Sequence, residues 1–180
     1  MNLPNKLTMA RVILVPFFIA AYLLGYYYVA LVIFVVASFT DMLDGKIARK
    51  RNLITNFGKI MDPLADKVLV YSAFCLMIPD LLPGWMLIII LAREFTIAGM
   101  RTVAASEGTV IAAGMSGKIK TVLQMIAVPL GILYLGFAKS GFGIADVTYY
   151  AYEAFLWGAL VMTVYSGVEY VVKNKSVFKQ

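Results

Sequence analysis

Six apolar stretches alternate with short polar breaks: about Ala10 to Leu24, Tyr28 to Thr40, Val68 to Ile78, Trp85 to Ala98, Val122 to Phe137 and Thr148 to Val172. Each run is continuous, without the strict alternation of a membrane barrel strand. In lipid every backbone polar group must be satisfied internally, so runs of this kind predict helices. A helix needs about 20 residues to cross a bilayer. Spans two, three and four reach that length only by extending through neighbouring polar residues, which must then face the protein interior. The breaks fall at Gly25 with Tyr26 to Tyr28, at Pro79-Asp80 and Pro83-Gly84, and at Ser140, Gly141 and Gly143. The connections around residues 50–61 and 105–120 are polar and basic. The expected fold is all-α: a single domain over residues 1–180, an integral membrane bundle of six transmembrane helices.

Composition supports lipid as the solvent. Of 180 residues, 62% are hydrophobic and 14% charged, with a mean hydropathy of +0.84; a soluble domain carries about 25% charged residues. The net charge of +6 is unevenly placed. Lys6, Arg11, Lys46, Arg49, Lys50, Arg51, Lys59, Arg101, Lys118, Lys120, Lys173, Lys175 and Lys179 fall at or near one side, while Lys139 lies on the other with Asp80 and Asp146. By the positive-inside rule, both termini are cytoplasmic. The first apolar stretch lacks a small-residue cleavage site and is expected to be a retained span. No nucleic-acid partner is expected.

Histidine is absent and Cys75 is the lone cysteine. That excludes a His-based triad, a His general base, an internal disulfide and a thiolate zinc site. Any metal must be held by oxygen, which favours hard ions such as magnesium or manganese.

Four aspartates stand out against this background. Asp41 and Asp44 lie at i and i+3 near the cytoplasmic end of span two, and Asp62 and Asp66 at i and i+4 at the start of span three. Each spacing puts a pair on one helix face. A short loop joins the two helices, so they are expected to be antiparallel neighbours with converging carboxylates. Four close carboxylates repel, and divalent cations allow all four to ionise. Two such cations held by shared carboxylates form a clamp for phosphoryl chemistry. The plainer alternative is an interfacial charge cluster with Lys46, Arg49, Lys59 and Lys67. Gly45, Ala48 and Gly58 let a ligand or a helix approach the backbone. Arg49 can bind a phosphate in bidentate fashion.

The run Asp41-x-x-Asp44-Gly45-x-x-Ala48-Arg49, eight residues, Gly58, three residues, Asp62, three residues, Asp66 resembles the signature of the CDP-alcohol phosphotransferase family at every fixed position and spacer. The family consists of six-helix membrane enzymes, in agreement with the span count. The resemblance implies that Asp41, Asp44, Asp62 and Asp66 hold two divalent cations, Mg2+ or Mn2+, and that Asp66 is also the general base. It implies that Gly45, Ala48, Arg49 and Gly58 line the site for the CDP part of the lipid donor. The PNKLT start, with Asn5, Thr8 and Arg11, is similar to the family's N-terminal segment and is expected to contribute to the same site. It further implies a homodimer in a bacterial cell membrane; the positive-inside orientation puts the active site at the cytoplasmic face.

The acceptor alcohol rests on a second region. Arg93 sits near mid-depth of span four, where a charge is costly unless it faces a polar cavity. With Arg101, Lys118 and Lys120 it can form a pocket for an acceptor phosphate. Arg93 can instead pair with Glu94, of its own or a second subunit, and the two lysines can simply set topology. AREFxxxGxR and GKIKT resemble the bacterial branch of the family that joins CDP-diacylglycerol to glycerol 3-phosphate, although the first outer turn is shorter than that branch commonly shows. Inositol phosphate, serine or phosphatidylglycerol as acceptor, and a small cation transporter, remain as alternatives.

Overall fold

The computed structural model describes residues 3–50, 56–106, 108, 111–112 and 114–175, with the side chains of residues 3–6, 41–50, 56–60, 62, 63 and 66 outside that description. Six helices and no strands occur among the described residues: α1 (Leu3–Leu23), α2 (Tyr27–Lys50), α3 (Asn56–Leu76), α4 (Gly84–Ser106), α5 (Met115–Ser140) and α6 (Ala145–Lys173). α5 and α6, with 26 and 29 residues, are long and apolar enough to cross a membrane; shorter apolar stretches cover Leu7–Leu23, Tyr27–Thr40 and Lys67–Leu76. Outward-facing apolar side chains such as Phe17, Val32, Phe95, Tyr150 and Val161 occur on α1, α2, α4 and α6. An apolar exterior of that kind fits lipid rather than water.

The helices extend further into the polar connections than the hydrophobic pattern indicates. α2 continues to Lys50, α3 begins at Asn56 and α5 at Met115. Hydropathy marks where a helix meets lipid, whereas backbone hydrogen bonding carries it on into polar sequence. The breaks coincide with the glycine and proline signals. Gly25 and Gly141 take φ of 73° and 68°, the left-handed conformation that closes a helix C-terminus without a Cβ penalty. α6 starts with Asp146 in its first turn and ends with Lys173 in its last, each complementing the helix dipole.

The chain divides into two compact units, residues 1–77 with 128–149, and residues 78–127 with 150–180. In the first, α1 packs against α2 and α3, and α2 also touches α3. Val15, Phe18 and Tyr22 on α1 and Ala30, Phe34 and Ala37 on α2 recur at three- and four-residue spacing and are buried, with the Phe18 and Phe34 rings 5.9 Å apart. The end of α5 closes the α1–α2 turn: Lys139 Nζ donates to the Gly25 carbonyl at 3.0 Å, and Tyr28 and Ser140 hydroxyls bond at 3.2 Å. In the second unit the buried residues include Met86, Leu87, Ile90, Ile97, Met100 and Ala104 on α4, Gln124 and Ala127 on α5, and Leu156, Ala159, Leu160, Thr163, Ser166 and Tyr170 on α6. Tyr152 donates its buried hydroxyl to the carbonyl of Leu81 at 2.8 Å.

Candidate functional site

The first unit contains the helices with the four aspartates. The backbone carries Asp41 and Asp44 one turn apart on α2, and Asp62 and Asp66 one turn apart on α3. Their side chains, with those of Asn5, Gly45, Ala48, Arg49 and Gly58, lie outside the described residues. Thr8 and Arg11 share a face of α1 and are both buried. Arg11 donates its Nε–H to the carbonyl of Ala37 on α2 at 3.2 Å, and Thr40 donates its hydroxyl to the same oxygen at 2.7 Å. Both contacts fall within one turn of Asp41. A side chain from α1 therefore fixes the stretch of α2 that leads into the aspartates.

In the donor set, four carboxylates come in two pairs, each one turn apart on its helix. Carboxylate oxygens suit a hard divalent cation, and neither imidazole nor clustered thiolate is available to favour a softer one. The residue types present fit a hard divalent cation.

The second unit holds the four candidate acceptor cations, and they fall into separate settings. Arg93 and Lys120 come together. Glu94 Oε1 accepts from Arg93 Nη1 at 2.7 Å and also from Lys120 Nζ, which reaches across from α5. Arg93 Nη2 donates to the Ser166 hydroxyl on α6 at 3.0 Å, and Ser166 in turn donates to the Thr163 carbonyl at 3.2 Å. Lys120 is only 2% exposed. Arg93 thus pairs with Glu94 of its own chain. It also borders an open groove of about 370 Å³ lined by Ala92, Thr96 and Ile97 on α4 and Thr163, Gly167 and Val171 on α6.

Arg101 and Lys118 are exposed. Arg101 Nε donates to the Tyr170 hydroxyl at 3.2 Å, and its guanidinium lies 5.4 Å from the centre of that ring. The Tyr170 ring packs with Ile97 and Met100. Lys118 and Lys120 are two residues apart, about 200° around a helix, so they leave α5 in nearly opposite directions. A separate polar link, which sequence reasoning did not pair, ties α5 to α6. Ser116 donates to Glu169 Oε2, and Lys173 bonds Glu169 Oε1 at 2.6 Å, joining α5 to the end of α6. A Cβ added at Gly117 would stand 3.0 Å from Arg93 Nη2, and one at Gly167 would stand 3.0 Å from Arg93 Cγ. Both glycines are visible in the sequence, but only tertiary packing reveals that they flank the same arginine.

Comparison with known proteins agrees with the acidic signature. Residues 1–165 match the CDP-alcohol phosphatidyltransferase family. A CDP-diacylglycerol–glycerol-3-phosphate 3-phosphatidyltransferase of Bacillus subtilis (strain 168) is 43% identical, with 99% of this chain and 97% of the relative covered. A protein of the same name from Rickettsia felis is 38% identical over 98% of this chain and 97% of its own. A probable phosphatidylglycerophosphate synthase of Mycobacterium tuberculosis (strain H37Rv) is 37% identical over 96% of this chain and 81% of its own. The chain belongs to the CDP-alcohol phosphatidyltransferase family.

Proposed function

We infer that this protein transfers the phosphatidyl group of CDP-diacylglycerol to sn-glycerol 3-phosphate, giving phosphatidylglycerophosphate and CMP. The observation that carries this reading is similarity along nearly the whole chain to relatives named for that reaction, together with the complete acidic signature.

The acceptor hydroxyl oxygen attacks the phosphorus on the lipid side of the diphosphate. The bond from that phosphorus to the bridging oxygen breaks, and CMP leaves with the electron pair. Asp66 takes the hydroxyl proton. Asp41, Asp44, Asp62 and Asp66 would hold two Mg2+ or Mn2+ ions, which when bound supply charge neutralisation to the diphosphate and the departing CMP. Arg49 binds donor phosphate, and Gly45, Ala48 and Gly58 leave room for the nucleotide. Asn5, Thr8 and Arg11 support the same donor site, a role that the hydrogen bond from buried Arg11 to α2 favours. Arg93, Arg101, Lys118 and Lys120 serve the acceptor phosphate, Arg93 and Lys120 through the Glu94 cluster. Most of the work is positioning and charge neutralisation.

The surrounding protein follows from the same reading. The chain forms one domain of six spans in a bacterial cell membrane, with both termini and the active face cytoplasmic, and it works as a homodimer. The lopsided placement of basic residues supports the orientation, and family resemblance supports the dimer.

The test is CMP release by the purified full chain given CDP-diacylglycerol, a divalent cation and one acceptor at a time. Release with glycerol 3-phosphate is expected. Release only with inositol phosphate, serine or phosphatidylglycerol would transfer the protein to a sister branch.

A further inference from the structure

Two cations converge on one carboxylate oxygen inside the second unit. Arg93 reaches Glu94 Oε1 from the preceding residue of α4, and Lys120 reaches it from α5. The side chains of Arg93, Glu94 and Lys120 are 14%, 12% and 3% exposed. At that depth an ion pair is costly unless its geometry is good and the remaining donors are satisfied. The geometry is well fixed: Ser166 holds the second arm of Arg93, and the backbones of Gly117 and Gly167 close on its side chain.

The donors are less completely met. Arg93 Nε is buried and has no hydrogen-bond partner among the described residues. An anion with oxygen acceptors suits a guanidinium whose donors are incompletely met.

We propose that Glu94 is a positioning residue of the acceptor site: its carboxylate holds Arg93 and Lys120 side by side so that the acceptor's phosphate meets a preset pair of cations. This rests on the glycerol 3-phosphate reading above. Glu94 does not bind the substrate. It fixes the angle and spacing of two long side chains that otherwise lose rotamer freedom on binding, and it raises acceptor affinity by removing that cost.

The test separates this role from two others. Initial rates of CMP release are measured with full-length enzyme, varying glycerol 3-phosphate at saturating CDP-diacylglycerol and then the converse. Glu94→Gln is expected to raise the acceptor KM by about tenfold, the scale of ordering one or two long side chains on binding, while the donor KM stays within about twofold. Glu94→Asp, which keeps the charge, recovers part of the loss. A lower acceptor KM in Glu94→Gln would mean that the carboxylate competes with phosphate, and it overturns the proposal. So does an equal rise in both KM values, or a fall in kcat alone, which a purely structural pair produces. If Glu94→Gln does not fold, Ser166→Ala, which frees one arm of Arg93, is read by the same KM ratio; no acceptor-selective rise again overturns it. Wild-type enzyme is the control for the underlying reading. If it releases CMP with a different alcohol, the acceptor assignment fails, and the Glu94 ratio is taken with that alcohol. A selective rise with an acceptor that has no phosphate then overturns the positioning role separately.

Discussion

Arg11 on α1 donates its Nε–H to the carbonyl of Ala37 on α2 at 3.2 Å, and the helix repeat pairs that same carbonyl with the amide of Asp41. A buried guanidinium therefore bears directly on the backbone from which the first aspartate of the signature projects. Arg11→Met is expected to lower thermal stability by about 1.5–3 kcal/mol, the range for a hydrogen bond from a charged group, and to reduce kcat/KM for CDP-diacylglycerol more than for the acceptor. Thermal unfolding in detergent and CMP release check the two parts. A variant with normal stability and normal donor kinetics would remove Arg11 from the donor site.

Asp66→Asn keeps the size of the side chain and removes its basicity. As the general base it should cost about a thousandfold in kcat, within the usual span for proton transfer by a positioned group. Full activity in that variant rules out the assignment. Asp41→Asn should instead raise the divalent-cation concentration needed for half-maximal rate, which a titration with Mg2+ or Mn2+ measures.

Removing divalent cations with a chelator should abolish CMP release, and adding back Mg2+ or Mn2+ should restore it. Persistent activity in chelator would contradict the role given to all four aspartates.

Lys118 and Lys120 should separate cleanly despite their shared motif. Lys120→Met removes one of the two cations on the Glu94 carboxylate and should lower stability by about 1.5–3 kcal/mol, the range for a hydrogen bond to a charged group. Lys118→Ala alters an exposed position and should leave the melting temperature unchanged, while raising the acceptor KM more than the donor KM. An effect of Lys118→Ala on the donor alone would exclude it from the acceptor site.

Gly167→Ala tests the slot around Arg93. The added methyl would stand 3.0 Å from Arg93 Cγ, so the arginine must shift by a few tenths of an ångström. A rise of a few fold in the acceptor KM is expected, because small misplacements of binding groups are costly. Unchanged kinetics would mean that Arg93 does not need its present position.

The sequence makes the helical class, the three glycine- and proline-marked breaks and the acidic signature legible, because each depends on local chemistry. Spacing alone pairs Asp41 with Asp44 and Asp62 with Asp66. The helix ends are less legible: the polar segments around residues 50–61 and 105–120 read as connections, and helix occupies part of both. The acceptor cations are the least legible. Arg93 and Arg101 are eight residues apart on α4, yet one is tied to Glu94 and Ser166 and the other to Tyr170. Those partners lie on the adjoining position or 69 to 73 residues away, a pairing that helical periodicity does not encode.

Lys139 closes the α1–α2 turn by capping Gly25, and its Nζ stands 2.6 Å from where a Cβ on that glycine would be. The contact ties turn length to side-chain identity across more than a hundred residues. A relative with extra residues between Leu24 and Tyr27 has no reason to keep a lysine at the position of Lys139, and one with the short turn has every reason to. The two features should be inherited together.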